Sequence, residues 1–257
     1  MLPLPLWYKV VVIGVYGLIV GSYLPVLIYR VPRGMSTHLP RSSCPDCGHM
    51  IALYDIIPVF SWLWLRGRCR GCHGRISLRY PLVEGLCGVL YVALALRIGL
   101  RWELLAYLVV APTLVALACI DAQFHLLPRR IVWPMTAVAV LAFANAALWA
   151  SDWSRFALAL GCAAVTGTFF AGLHFMNRDG LGLGDVRLAP LLGLTLGWIG
   201  WPEVVAGVMV GSFLGILVGV VLIASKRATT RTKMPYGTYL AIGTLATVLV
   251  TASAVRM

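Results

Sequence analysis

Acidic side chains are scarce in this chain, with nine Asp and Glu among 257 residues. Charged residues of both signs make up only 12% of it, about half the share of an ordinary soluble domain. In their place 60% of the residues are hydrophobic and mean hydropathy is +0.88, which excludes an ordinary soluble protein. Low-complexity segments, linkers and a convincing internal repeat are missing too, which removes the signature of an inverted-repeat transporter. Nor is the first apolar stretch expected to be a cleavable secretory signal. The first apolar stretch has one early positive charge, Lys9, and ends in Tyr29-Arg30 without a small-residue cleavage site, so it is expected to stay as an anchor.

What the chain has is apolar length. A helix needs about 20 apolar residues to cross the hydrocarbon core, and such stretches fall at about 10–28, 81–96, 103–120, 132–150, 155–175, 186–200, 203–224 and 236–254. The fold class predicted is an all-α polytopic membrane protein with about eight transmembrane helices. A net charge of +12 could suggest nucleic acid, but in a membrane protein the distribution of cations matters more than their sum. With eight spans, one set of loops carries sixteen: Arg30, Arg33, Arg41, Arg66, Arg68, Arg70, Arg75, Arg79, Arg129, Arg130, Arg178, Arg187, Lys226, Arg227, Arg231 and Lys233. The opposite side has Lys9, Arg97, Arg101, Arg155 and Arg256. The positive-inside rule then predicts both termini outside and the richer loops in the cytoplasm, against lipid and without a nucleic-acid partner.

One long polar stretch, from about Pro32 to Arg79, divides the chain into a first span (1–31), a cytoplasmic insertion (32–79) and a transmembrane domain (80–257). The insertion holds Cys44-Pro45-Asp46-Cys47 and Cys69-Arg70-Gly71-Cys72, two CxxC pairs separated by 21 residues. Four thiolates at that spacing suit a tetrahedral zinc ion. The competing reading, two disulfides, conflicts with the reducing side of the membrane. A four-thiolate site has no open coordination position, so zinc at Cys44, Cys47, Cys69 and Cys72 is expected to brace the loop rather than catalyse. Arg66, Arg68, Arg70 and Arg75 either offset the charge of that site and meet anionic headgroups, or reflect positive-inside bias alone. His49 and His73 read as solvated loop residues that are also possible substitute ligands. Cys87, Cys119 and Cys162 lie singly in apolar spans, as small hydrophobes.

Where acids are so few, one at a membrane boundary is a functional hypothesis by default. Asp121 ends the apolar run Ala111 to Ile120, ahead of Leu126-Leu127-Pro128, and Asp185 closes Gly182-Leu183-Gly184-Asp185 before another apolar run. Both fall at the same membrane face. Taken alone, Asp185 reads equally well as an N-cap, and Asp121 as a solvated helix terminus. Together they offer more, because two carboxylates sharing a site cannot both ionise cheaply. One keeps a proton while the other takes one from water, which is the equipment for amide hydrolysis. Gly182 and Gly184 would let a substrate strand approach the backbone beside Asp185.

These residues resemble a known family, the bacterial type IV prepilin peptidases, which are GxGD membrane aspartic proteases. The resemblance runs through nearly the whole chain: Gly21-Ser22-Tyr23-Leu24 with Tyr29-Arg30-Val31-Pro32, the two CxxC pairs, Arg79-Tyr80-Pro81-Leu82-Val83-Glu84, Asp121 with Leu127-Pro128, Gly182 to Arg187, and Pro235-Tyr236-Gly237. It implies that Asp121 and Asp185 are the catalytic pair, and that the substrate is a prepilin or pseudopilin leader. Cleavage is implied at the cytoplasmic membrane face, after a glycine and before a hydrophobic segment. N-methylation of the new amino terminus from S-adenosylmethionine is implied as a second step. Glu84 could bind a substrate amine or the methyl donor's amino group, or form an ion pair with Arg79 or a neighbour. Arg187 or Arg129 could pair with an acid near the start of the mature pilin, or face lipid phosphate.

The chain departs from the family pattern at Pro25 and Ile56, where bifunctional members carry asparagine. Both losses fall in the amino-terminal region, so they bear on methyl transfer and leave a peptidase-only alternative open. Arg129 stands where the family often has an acid, and Thr238 where it often has proline, neither with an expected part in the chemistry. A proton-coupled transporter and a zinc-braced assembly scaffold are the rival functions. The boundary position of the aspartates argues against the transporter, whose sites usually lie near the bilayer midplane.

Overall fold

The apolar stretches become helices. In the computed structural model, which describes residues 5–37, 42–44, 46–178, 180–227, 229, 232 and 234–252, the elements are α1 (Leu6–Arg30), α2 (Phe60–Trp64), α3 (Arg79–Ile98), α4 (Trp102–Phe124), α5 (Arg129–Ala150), α6 (Trp153–Met176), α7 (Leu183–Gly197), α8 (Trp201–Ala224) and α9 (Tyr236–Thr251). Arg41, Pro45, Arg231, Lys233 and Arg256 lie outside the described residues. Among those described, the only extended pairings are two isolated bridges, so the all-α class holds. The count of eight spans is not matched by helix length. Six helices, α1, α3, α4, α5, α6 and α8, are long and apolar enough to cross a membrane. The other two, α7 with 15 residues and α9 with 16, reach only about 22–24 Å at 1.5 Å per residue, against a core of about 30 Å.

Helix ends follow local chemistry. His125 closes α4 in the left-handed region (φ 51°), its N–H donating to Asp121 O at 2.8 Å. Pro128, which cannot donate, stands just before α5. Asp152 caps α6 by accepting from the Arg155 N–H at 3.1 Å, a contact worth about 1 kcal/mol.

The chain divides into two compact units, Met1–Leu96 and Arg97–Met257. In the first, α1 and α3 approach closely through small residues. A Cβ on Gly17 would stand 2.7 Å from the Tyr91 ring, and one on Gly21 would stand 2.9 Å from Glu84 Cα. Such contacts let membrane helices gain dispersion energy where no hydrophobic force drives them together. Between the two helices, Arg70 holds Asp55 with a two-point pair, Nε to Oδ2 at 2.9 Å and Nη2 to Oδ1 at 2.7 Å. That hydrogen bonding lowers the Asp55 carboxyl below its ordinary range.

In the second unit α7 is the central element, with ten of its fifteen residues buried. Helices α4, α5, α6, α8 and α9 complete the unit, and α7 packs against α5, α6, α8 and α9. Tyr107 of α4 stacks edge-on against Phe143 of α5 at 5.4 Å, and Phe143 lies 5.1 Å from the Trp198 ring that follows α7. The Tyr107 hydroxyl donates to the Thr195 carbonyl of α7 at 3.1 Å. Close backbone approach again needs glycine, since a Cβ on Gly193 would come within 2.6 Å of Cys162 O in α6.

Candidate active site

Helix α4 delivers Asp121 one turn before its end, and α7 delivers Asp185 in its first turn, behind the N-cap Gly182. Both side chains are buried, Asp121 at 5% and Asp185 at 8% exposure. The start of α9 closes on them. A Cβ at Gly237 would stand 3.1 Å from Asp121 Oδ2 and 3.1 Å from Asp185 Oδ1, so the two oxygens are separated by no more than twice that distance. At this range their charges act on each other, and only one ionises readily.

Hydrogen bonds fix the Asp121 side chain. Its Oδ2 accepts from the Thr238 N–H at 2.9 Å and lies 3.3 Å from Thr238 Oγ1. Bonds of this charged kind are worth about 1.5–3 kcal/mol each. Thr238 Oγ1 also lies 3.0 Å from the Ala118 carbonyl, which ties the first turn of α9 to the last turns of α4. Proline, the residue expected from the family resemblance, would offer neither donor, so Thr238, which had no expected part in the chemistry, makes a contact with Asp121 that proline could not.

Of the two glycines before Asp185, Gly184 serves packing. A Cβ on Gly184 would stand 3.0 Å from Leu127 Cβ, and Leu127 is buried at 3% exposure. Glycine at 184 therefore lets α7 sit against the turn that follows Asp121. The turn leading into α7 is held by groups the sequence did not single out. His174 Nδ1 meets the Leu181 carbonyl at 2.7 Å, and the Asn177 side chain accepts from the Gly180 N–H at 3.0 Å. Arg187 is half-buried two residues beyond Asp185, and Arg129 is exposed.

Glu84 belongs to the amino-terminal unit, where its Oε2 accepts from the Val59 N–H at 2.7 Å. Val59 is β-branched yet sits at φ 62°, ψ −49°, with the Phe60 N–H donating to the Pro58 carbonyl at 2.6 Å. This is a tight, strained γ-turn, and the Glu84 carboxylate secures it.

The four predicted thiols do converge. The Sγ atoms of Cys44, Cys47, Cys69 and Cys72 all lie within 4.8 Å of one another, and Cys44 Sγ to Cys72 Sγ is 3.8 Å. A tetrahedron of sulfurs with Zn–S near 2.3 Å has edges of about 3.8 Å, so the donor set fits a four-coordinate thiolate metal. Each CxxC forms the same knuckle. The Cys44 N–H donates to His49 O and the Cys69 N–H to Gly74 O, at 2.9 and 2.8 Å, and the bridges Ser43–Met50 and Arg68–Arg75 close the two turns. The N–H groups of Cys72 and Gly71 lower the Cys69 thiol to about 7, toward the thiolate a metal requires.

The sequence pattern described as the type IV leader peptidase family matches residues 108–223, and that of the bacterial peptidase A24 N-terminal domain matches residues 15–98. Among curated proteins, a prepilin leader peptidase/N-methyltransferase of Myxococcus xanthus is 43% identical over 225 residues, covering 85% of this chain and 65% of that protein. Proteins of the same name from Stutzerimonas stutzeri and Pseudomonas aeruginosa are 32% and 31% identical. They cover 89% and 88% of this chain and 86% and 85% of their own lengths. No solved structure matches.

Proposed function

Because the chain belongs to the type IV leader peptidase family, we propose that it is a multi-pass membrane aspartic endopeptidase that removes the leader of type IV prepilins or pseudopilins, with Asp121 and Asp185 as its catalytic pair. One observation carries this reading. Two buried carboxylates from α4 and α7 meet at a single glycine of α9, the arrangement in which one acid activates water while the other polarises the scissile carbonyl. The six long apolar helices agree with a membrane enzyme. The cation-rich loops favour the bacterial inner membrane, with the site toward the cytoplasm. Gly182, Gly184 and Arg187 are the residues nearest in sequence to Asp185 for substrate contact, with Arg187 a partner for an acid early in the mature pilin.

The cysteine cluster holds structural zinc on this reading, bracing the segment between α1 and α3. Residues 1–31, 32–79 and 80–257 serve as first span, zinc-binding insertion and peptidase domain. The relatives' names also carry an N-methyltransferase. A methyl group from S-adenosylmethionine on the new amino terminus is the corresponding second activity, with Glu84 a candidate for the donor's amino group. Pro25 and Ile56 supply no amide where the family pattern has one, so cleavage alone is the alternative.

Purified full-length chain incubated with prepilin, with and without S-adenosylmethionine, separates these readings by mass spectrometry of the product. Leader loss is expected from the wild type and is expected to fall by at least about 10³-fold in D121N and in D185N. Full leader loss in both variants would leave the aspartates as helix-end groups and put the catalysis elsewhere, whereas no leader loss from the wild type would favour a scaffold. A methyl increment on the cleaved pilin reports the second activity independently.

A further inference from the structure

Two carboxylates in one buried site share one proton, and the donors around them decide which holds it. The Thr238 N–H points at Asp121 Oδ2 from 2.9 Å, with Thr238 Oγ1 at 3.3 Å and the Gly237 N–H also directed at the same carboxylate. Asp185 has the Gly182 N–H. A backbone N–H is an obligatory donor, and an ionised carboxylate is a pure acceptor, so each N–H aimed at Asp121 stabilises its charged form. The Thr238 hydroxyl has one proton for two acceptors, Asp121 Oδ2 and Ala118 O, and it turns to Asp121 when that group carries charge. Helix dipoles work the other way. Asp185 sits in the first turn of α7, where negative charge is favoured, and Asp121 sits near the end of α4, where it is not. Direct donors at hydrogen-bond distance outweigh a terminal dipole. The other titratable groups whose charges bear on this pair are His125 after α4 and Tyr239 of α9.

Resting on the reading of Asp121 and Asp185 as the catalytic pair, we propose that Thr238 is a positioning residue that keeps Asp121 ionised, making Asp121 the base and Asp185 the acid. Water gives a proton to Asp121 as its oxygen bonds to the scissile carbonyl carbon, and Asp185 gives its proton to the carbonyl oxygen. When the C–N bond breaks, the proton on Asp121 passes to the departing amine. In the same collapse one hydroxyl of the gem-diol formed by water addition returns its proton to Asp185, which leaves the carboxylic acid product and restores the starting state.

Three substitutions dissect the donors. T238S keeps both, T238V keeps the N–H, and T238P keeps neither, at a first-turn position where proline is tolerated. In the pH profile of kcat/KM for prepilin cleavage, the acidic limb is expected to move up by about one pH unit in T238P, a tenfold loss at a fixed pH on that limb. It is expected to move less in T238V and to stay in place in T238S, with KM held within about twofold. Movement of the alkaline limb instead, or a fall in kcat with both limbs fixed, would overturn the assignment. A second measurement needs no turnover. The carboxyl stretch of Asp121, followed by infrared titration in D185N, is expected to disappear at lower pH than that of Asp185 in D121N. It is expected to shift upward in the D185N/T238P double variant. The reverse order of titration rejects the proposal even if the chain cleaves normally, whereas a wild type that cleaves nothing rejects only the peptidase reading.

Discussion

A Cβ on residue 237 would stand 2.7 Å from Leu127 Cδ1 and 3.1 Å from an oxygen of each aspartate, so glycine there is a requirement of space. Replacing it by alanine forces either Leu127 or a carboxylate to move by several tenths of an ångström. Misplacement on that scale near the reacting atoms costs about 10²-fold in rate. G237A is therefore expected to lose that much kcat while keeping its helical content by circular dichroism. Wild-type turnover in G237A would show that the carboxylates are not held at this spacing. The sequence made Asp121, Asp185 and the two glycines before Asp185 legible, because acids are rare in this chain and one short motif carries them. Thr238 and His174 were not legible. Thr238 stands out only as a departure from the family's proline, and the acid it meets is 117 positions away, so the contact is not written in the local pattern. His174 looked like part of an apolar run because its partner is a backbone carbonyl, which has no residue signature.

The two CxxC knuckles are the clearest case in which spacing alone specified an element, because four sulfurs and two tight turns leave little freedom. They also differ instructively. The turn after Cys47 uses Gly48 at φ 71°, whereas the matching turn after Cys72 puts His73 at φ 58°, a strained choice for a residue with a Cβ. A metal held by the four thiolates would offset that strain. Elemental analysis of the purified chain is expected to give one zinc per molecule, and C47S and C72S are expected to give none. Far-UV circular dichroism should change little on metal loss, because the described residues of the insertion hold only short helical turns besides α2. A wild type free of zinc, or variants that keep it, would contradict the assignment. The short helices were harder to read. The apolar run containing α7 has the composition of a membrane span, but interior burial against other helices and burial in lipid select the same side chains. Only the packing shows that α7 is wrapped by protein.

At the scale of the whole molecule, α7 poses a sharper question than its length suggests. Its first turn lies beside the end of α4 through Asp185 and Asp121, and its last third lies beside the start of α4 through Thr195 and Tyr107. The 14 residues of α4 from Tyr107 to Asp121 rise about 21 Å, so α7 runs antiparallel to α4 through most of its depth despite having fifteen residues. It is therefore expected to cross inside the bundle, where neighbouring helices rather than lipid would set the required length. By this path the aspartate end of the carboxy-terminal unit carries Arg129, Arg130, Arg178, Arg187, Lys226 and Arg227, while the opposite end carries Arg97, Arg101 and Arg155. By the positive-inside rule that bias predicts the aspartate end in the cytoplasm, as the proposed function requires. Fusions of an export-dependent phosphatase after Ser151 and after Gly200 are thus expected to be active, and one after Lys226 inactive. An inactive Gly200 fusion beside an active Ser151 fusion would mean that α7 turns back within the membrane, and an active Lys226 fusion would invert the orientation inferred from the cations.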